Sequence, residues 1–221
     1  GERGIRRSGT AAALTVRSAT RRSTGQSPHE APTQMTRVVL FGVGSPLVVD
    51  YEESCRRLGW RISLAVRNHQ DRTFCGDDLT IKEPSALATD DLAIPFLCPL
   101  FTPCDRRAAA SQAVDLGFSE SPALVDPTAV VAENSSLGAG SYVNAGCIVG
   151  AQGICGRHVV LNRACSIGHN GQIGDFVSIG PGVVVAGQVT IGPGTMLGAG
   201  CVILPQIEIG GNTVIGAGTV V

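Results

Sequence analysis

From Val125 to Val221 the chain keeps an apolar residue at every sixth position: Val, Leu or Ile throughout, with Cys155 the one exception. The next position is glycine in ten of the sixteen complete units, among them Gly138, Gly168 and Gly198. The fifth position is small or β-branched nearly throughout. This register predicts a triangular solenoid in which each unit supplies one short flat strand and one corner, and three units close a coil. First-position side chains then point inward and stack on their equivalents one coil away. Second-position glycine relieves backbone crowding at the bend, and small fifth-position residues fit the narrow interior. Coils paired as parallel strands about 4.8 Å apart make a prism on the order of 25 Å tall. The predicted fold over residues 121–221 is therefore a left-handed parallel β-helix. Cys147 and Cys165, one coil apart at fifth positions, should stack inside it as buried small residues rather than as a disulfide. The repeats stop at Val221 in mid-register without a capping element, so the natural protein is expected to continue.

A formal charge of −1 provides no global field to recruit nucleic acid or an anionic membrane. No apolar run approaches the roughly 18 residues of a membrane span. The eight cysteines show no CxxC and no Cys/His cluster with zinc spacing, so no metal site is expected. Scattered cysteines without a secretory signal point to a reducing, cytoplasmic compartment.

Residues 1–35 are rich in Arg, Ser, Thr and Ala and poor in acids. Two readings fit them: an organellar transit peptide, or sequence translated ahead of a true start at Met35, the second being preferred. Either way the segment is expected to lack fixed structure. Residues 36–120 read differently. Arg37–Phe41 is a buried parallel strand, Gly42-Val43-Gly44-Ser45 a tight turn, Leu47 to about Leu58 a helix, and Trp60–Val66 a second strand. Leu92–Leu97 reads as a third strand. Asp105 reads as the N-cap of a helix running to about Leu116, with Gly117 as its stop. Strand, glycine turn, helix, strand predicts a small Rossmann-like α/β domain over 36–120.

The repeats hold few reactive side chains. His158 occupies a fourth position, where a plain exposed or corner histidine is expected. His169 stands at a third position, at a corner, in Ser166-Ile167-Gly168-His169-Asn170-Gly171. At Leu161-Asn162-Arg163, Ile167-Gly168-His169-Asn170, Ile173-Gly174-Asp175-Phe176 and Ser178-Ile179-Gly180-Pro181-Gly182 the chain resembles the hexapeptide-repeat sugar O-/N-acyltransferases of the sialic-acid O-acetyltransferase and bacillosamine-pathway type. The opening Val39–Ser45 matches that family's Gly-rich loop in part, and Asp126-Pro127-Thr128-Ala129 stands where it has a His-Pro-Ser-Ala-like tetrad. The resemblance runs from about Thr36 to Val221.

The resemblance implies a homotrimer that uses acetyl-CoA to acetylate an amine or hydroxyl of a sugar or nucleotide sugar. His169 would be the general base, since imidazole titrates near working pH, and Asn170 would orient its ring. The cofactor positions carry over to Ser178, Ala199 and Ala217, and the nucleotide-sugar end to Gly42, Gly44 and Ser45. The chain departs from the family at three places. Asn170 replaces the acid that would support the imidazolium, which implies a slower base. Ser178 replaces a second histidine. Leu47 stands where GxGxxG has its third glycine, and Arg67-Asn68-His69 stand where a ribose-binding acid would end strand two. Two other functions compete with this one. A zinc-dependent γ-type carbonic anhydrase needs three suitably spaced histidines, which the repeats lack. A trimeric scaffold or binding module with weak or no catalysis is the alternative that Asn170 and Ser178 motivate.

Overall fold

The computed structural model describes residues 36–70 and 72–221, so the leader expected at 1–35 lies outside the described residues. The sixes fold as three parallel sheets wrapped around one interior. The first face has six two-residue strands, from Leu124–Val125 to Val214–Ile215. The second has five, from Val130–Val131 to Val202–Ile203, and the third five, from Ser136–Leu137 to Glu208–Ile209. Every ladder is parallel with an offset of one coil, as in Val160 opposite Ser178 and Ser178 opposite Met196. This is the prism expected of a left-handed β-helix.

In each strand the second residue points inward. Val143, Leu161, Ile179 and Leu197 stack beneath the first face, and fifth-position Cys147, Cys165 and Val183 fill the corners. Cys147 and Cys165 meet with sulfurs 3.5 Å apart and remain unpaired thiols. The second-position glycines have a sharper reason than a bend. A Cβ on Gly138 would lie 2.4 Å from the carbonyl carbon of Gly156, and one on Gly198 2.5 Å from the amide of Ala217. The crowding comes from the next coil, which cannot rise because its hydrogen bonds set the spacing.

Ahead of the prism, β1 (Arg37–Phe41), β2 (Arg61–Val66), β3 (Ile81–Lys82) and β4 (Phe96–Leu97) form an all-parallel sheet in the order β3-β2-β1-β4. Helix α1 (Val48–Leu58) follows the glycine turn and ends at Gly59, whose φ of 69° gives the left-handed cap. Two expectations need correction. Leu92–Leu97 is not one strand: Thr89–Leu92 forms a short helix, α2, and only Phe96–Leu97 pairs. The next helix, α3 (Pro103–Asp115), starts earlier than an Asp105 cap would allow. Pro103 takes its first position, where a missing N–H costs nothing, and Thr102 is the cap residue. The short strand β3 had no periodicity long enough to be read.

The first face of the prism is where the α/β layer docks. Outward-pointing Leu124, Tyr142 and Val160 pack with Val48, Tyr51 and Cys55 of α1 and with Leu40 of β1 in one core. The Tyr51 and Tyr142 rings lie 4.0 Å apart. Asp126 is buried at this joint and accepts from Ser54 Oγ at 2.7 Å, Thr128 N at 3.0 Å and Thr128 Oγ1 at 2.6 Å, with Arg57 Nη1 at 3.2 Å. Burial alone would raise its carboxyl, but these donors hold it below the usual carboxylate range.

The other fastener is Arg106 of α3, fully buried. Its guanidinium donates to the carbonyls of Leu100 and Phe101 on its own side and to those of His158 (2.8 Å), Phe176 (2.9 Å) and Val177 (3.2 Å) on the prism. Ser178 Oγ accepts a further bond at 2.9 Å. No carboxylate faces it among the described residues, and burial pushes its pKa down to about 10, so it stays charged at neutral pH. Removing it would leave several buried carbonyls without donors. We expect Arg106→Ala to lower unfolding free energy by about 3–5 kcal/mol, measured by urea denaturation. Arg106→Lys should recover only part of that loss, because an ammonium has three donors and no fork.

Candidate active site

His169 lies on the vertex between the second and third faces and is exposed. Its ring lies across the backbone of the next coil. A Cβ on Gly187 would come 2.6 Å from Nε2, so only glycine at that position leaves room for the ring as it stands. Nδ1 meets Asn170 Oδ1 at 2.9 Å. With the Asn170 oxygen facing it, Nδ1 is the nitrogen that would donate, and Nε2 has no hydrogen-bond partner among the described residues. The Asn170 amide in turn donates to Gln152 Oε1 at 2.5 Å. The structure thus brings His169 and Asn170 together and adds Gln152 and Gly187, which motif reading passed over. Both lie eighteen positions from a residue already singled out, and that coil offset was the signal available.

Ala199 and Ala217 are exposed on a different vertex, between the first and second faces, directly above Pro181. Gly218 donates to Ala199 O at 2.9 Å, and Gly200 to Pro181 O at 2.9 Å. Small side chains leave a shallow vertical track there, with exposed Arg163 one coil below Pro181. Ser178 does not belong to that track. It is fully buried under the α/β layer, donating to Phe101 O and accepting from Arg106 Nη2, and has no surface to offer a cofactor.

Gly42, Gly44 and Ser45 form the turn between β1 and α1. Gly42 is buried at φ 85°, with Leu100 Cδ1 2.9 Å from where a Cβ would sit. Ser45 Oγ accepts from Leu47 N at 3.3 Å, and Gly44 is exposed. Gly44 lines a pocket of about 200 Å³ with Val43, Arg67, Asn68, His69, Leu100 and Asp105. The pocket lies at the carboxyl ends of β1 and β2 beside the start of α3, the place where open parallel sheets hold ligands. Arg67 is paired with Glu83, and Asn68 donates to Gln112 at 3.0 Å.

His158 corrects an expectation. It is fully buried on the third vertex, stacked 5.0 Å from the Phe176 ring and 6.0 Å from that of Phe96. Its Nε2 meets Glu120 Oε1 at 2.8 Å, and Nδ1 has no partner. Burial lowers its pKa, although Glu120 pulls the other way. This histidine ties the segment leading into the prism to the second coil.

Among the described residues no group of His, Cys, Asp or Glu could hold a metal ion, and no helix is long and apolar enough to cross a membrane. The fold and these columns define a hexapeptide-repeat β-helix protein. The bacterial transferase hexapeptide (six repeats) family model matches residues 170–204 and 188–221. Among solved structures, PerB from Caulobacter crescentus in complex with CoA and GDP-perosamine superposes with a TM-score of 0.73 at 24% identity, covering 86% of this chain and 89% of that one. The acetyltransferase domain of PglB from Neisseria gonorrhoeae FA1090, in complex with acetyl coenzyme A, gives 0.72 at 24% identity, covering 84% and 90%. No curated protein matches the sequence.

The shifted histidine sets a pH dependence. The unfolded chain takes up a proton on His158 near pH 6.5, and the folded chain does so only at lower pH. The unfolded state therefore binds more protons in that interval, and stability falls as pH drops through it. We expect the urea midpoint to decrease between about pH 7.5 and 5.5, with a shallower slope in His158→Gln.

Proposed function

We propose that the protein is an acetyl-CoA-dependent acetyltransferase acting on an amine or hydroxyl of a sugar or nucleotide sugar, working as a homotrimer. The observation that carries this reading is His169, an exposed imidazole whose Nδ1 is occupied by Asn170 and whose Nε2 is free. Nε2 takes the proton of the attacking amine or hydroxyl as it adds to the thioester carbonyl. The tetrahedral oxyanion is met by an N–H donor, and collapse breaks the C–S bond. The CoA thiolate leaves and is protonated by the imidazolium. Acetyl-CoA and CoA with GDP-perosamine are the ligands of structurally similar proteins, which supports this substrate pair.

The parts of the site lie apart within one chain, which supports an assembly. The α/β layer covers the first face from Leu124 to Ser178, leaving Val214 exposed beyond it, and His169 occupies the opposite vertex. A nucleotide sugar resting on Gly42, Gly44 and Ser45, with its sugar end held by the 200 Å³ pocket, would meet the histidine of another copy. The strand order β3-β2-β1-β4 supports reading that layer as a small Rossmann-like domain, over about 36–120, preceding the prism at 121–221. The second face supplies the contact. Its outward residues include Val130, Ile148, Val184 and Val220, 45–65% exposed, with Ser166 among them, whereas the third face presents Ser136, Gln172, Thr190 and Glu208 around a single exposed Ile154. An apolar strip of this kind calls for a partner surface, and a head-to-tail contact closes into a ring when the rotation permits. The Ala199–Ala217 track and His169 border this face on its two sides, so the acetyl-CoA track and the base would meet at the subunit boundary. Eight unpaired cysteines support a reducing, cytoplasmic setting.

The test is a panel of nucleotide-linked amino sugars, sialic acids and simple sugars with acetyl-CoA, followed by loss of thioester absorbance. Transfer to one of them is expected, and His169→Ala should reduce kcat at least about a hundredfold while leaving the trimer intact, since a positioned base contributes 10²–10⁴. An inactive panel would favour the scaffold reading, and a fully active His169→Ala would sink the assignment of the base. Val184→Asp should break the trimer into monomers on light scattering and abolish transfer. A monomer that keeps activity would rule out a shared site.

A further inference from the structure

The fourth position of every coil on the His169 vertex is a carboxamide: Asn134, Gln152, Asn170, Gln188 and Gln206. The equivalent positions of the Ala199–Ala217 vertex hold Thr128, Gly146, Ala164, Gly182, Gly200 and Gly218. The turn there needs a left-handed backbone, with φ of 59° at Gln152, 58° at Asn170, 62° at Gln188 and 64° at Gln206. Glycine adopts that conformation freely and glutamine does not. Ala164 makes the same turn at φ 55° with a bare methyl, so the backbone alone does not explain an unbroken column of carboxamides, and their contacts show what the side chains do. Asn134 Oδ1 accepts from Gln152 N at 3.0 Å, Gln152 Oε1 accepts from Asn170 Nδ2 at 2.5 Å, and Asn170 Oδ1 accepts from His169 Nδ1 at 2.9 Å.

We infer that Gln152 is a positioning residue for His169, acting through Asn170 to hold the imidazole as the tautomer with its proton on Nδ1. This deepens the general-base reading of the same site. An asparagine beside a histidine is ambiguous, because its amide can present either the oxygen or the NH₂ to the ring. Turned the wrong way, the NH₂ would donate to Nδ1, leaving the proton on Nε2, where the base must be empty. Gln152 presents Oε1 to Asn170, and an oxygen there requires a donor, so in this arrangement the Asn170 NH₂ faces Gln152 and its oxygen faces the ring. A carboxylate has two equivalent oxygens and needs no such help. Gln152 therefore matters because residue 170 is an amide.

The experiment is ¹⁵N NMR of imidazole-labelled full-length protein at about pH 8.5, where histidine is neutral. His169→Ala identifies the signal among the chain's four histidines. The wild-type ring is expected to show a protonated Nδ1 and an unprotonated Nε2, and Gln152→Leu should move both shifts toward a tautomer mixture. In the Asn170→Asp background, Gln152→Leu should leave the ring with its proton on Nδ1. Where the acetylation panel has given a substrate, Gln152→Leu should lower kcat about three- to tenfold with little change in KM, the kinetic equivalent of one neutral hydrogen bond. That loss should shrink at least threefold in the Asn170→Asp background. A wild-type ring protonated on Nε2, or shifts unmoved by Gln152→Leu, would overturn the inference. The shifts are read without a substrate, so failure of the acetylation panel tells against the proposed function alone.

Discussion

Parallel hydrogen bonding between successive coils sets the terms for everything else in the prism. Each coil lies one strand spacing above the last, too close for a Cβ between Gly138 and Gly156 or between Gly198 and Ala217. Residues eighteen positions apart therefore touch whether or not anything else in the sequence relates them. Cys147 meets Cys165, Asn144 donates to Asn162 at 3.1 Å, and His169 lies over Gly187. Chemistry in such a fold is organised by columns. The three vertices bear three different ones: a small-residue track, a carboxamide and histidine column, and an aromatic column holding His158 and Phe176.

The three faces are unequal for a related reason. A solenoid built of identical units would be equally exposed all round, and what breaks the equivalence is the α/β layer seated on the first face. Arg106 makes that seat by bonding to carbonyls that the prism's own ladders leave with spare acceptor capacity. A charged donor bonded to neutral oxygens avoids the need for a buried counter-ion, and its fork reaches several carbonyls at once. The aliphatic outer residues of the second face remain uncovered as a result, and the candidate base stands at that face's far edge.

The prism was legible in the sequence down to the inward set, the stacked thiols and the exposed His169, because a period of six leaves no freedom of register. The α/β layer was legible where runs were long: β1, α1, β2 and all of α3 but its start. The two-residue strands β3 and β4 carry no period, and α3 begins at Pro103 because of a local rule that the more conspicuous Asp105 obscured. The site was half legible. His169 and Asn170 stand side by side in the chain, whereas Gln152 and Gly187 become neighbours only when the coil offset is applied. Ser178 misled because its position within the repeat resembles a surface strand position. Its face is occupied by a helix whose Arg106 lies seventy-two residues earlier in the chain.

The carboxamide column also explains how an imidazole can be oriented without an adjacent acid. A carboxylate at position 170 would stabilise the imidazolium and would also place a charge at the edge of an apolar face. An amide held by a second amide supplies the orientation and leaves that edge neutral. The strain of left-handed glutamines, on the order of 1 kcal/mol each, is borne on the vertex where side chains have work to do. On the Ala199–Ala217 vertex, Gly146, Gly182, Gly200 and Gly218 make the same turn at φ between 66° and 70° without it, Ala164 at 55° being the one residue that bears it there. The two vertices bordering the second face thus divide the requirements of the proposed reaction. One is stripped to backbone and small side chains so that a long thioester can lie close, and the other bears strained polar side chains that set the direction of one nitrogen lone pair.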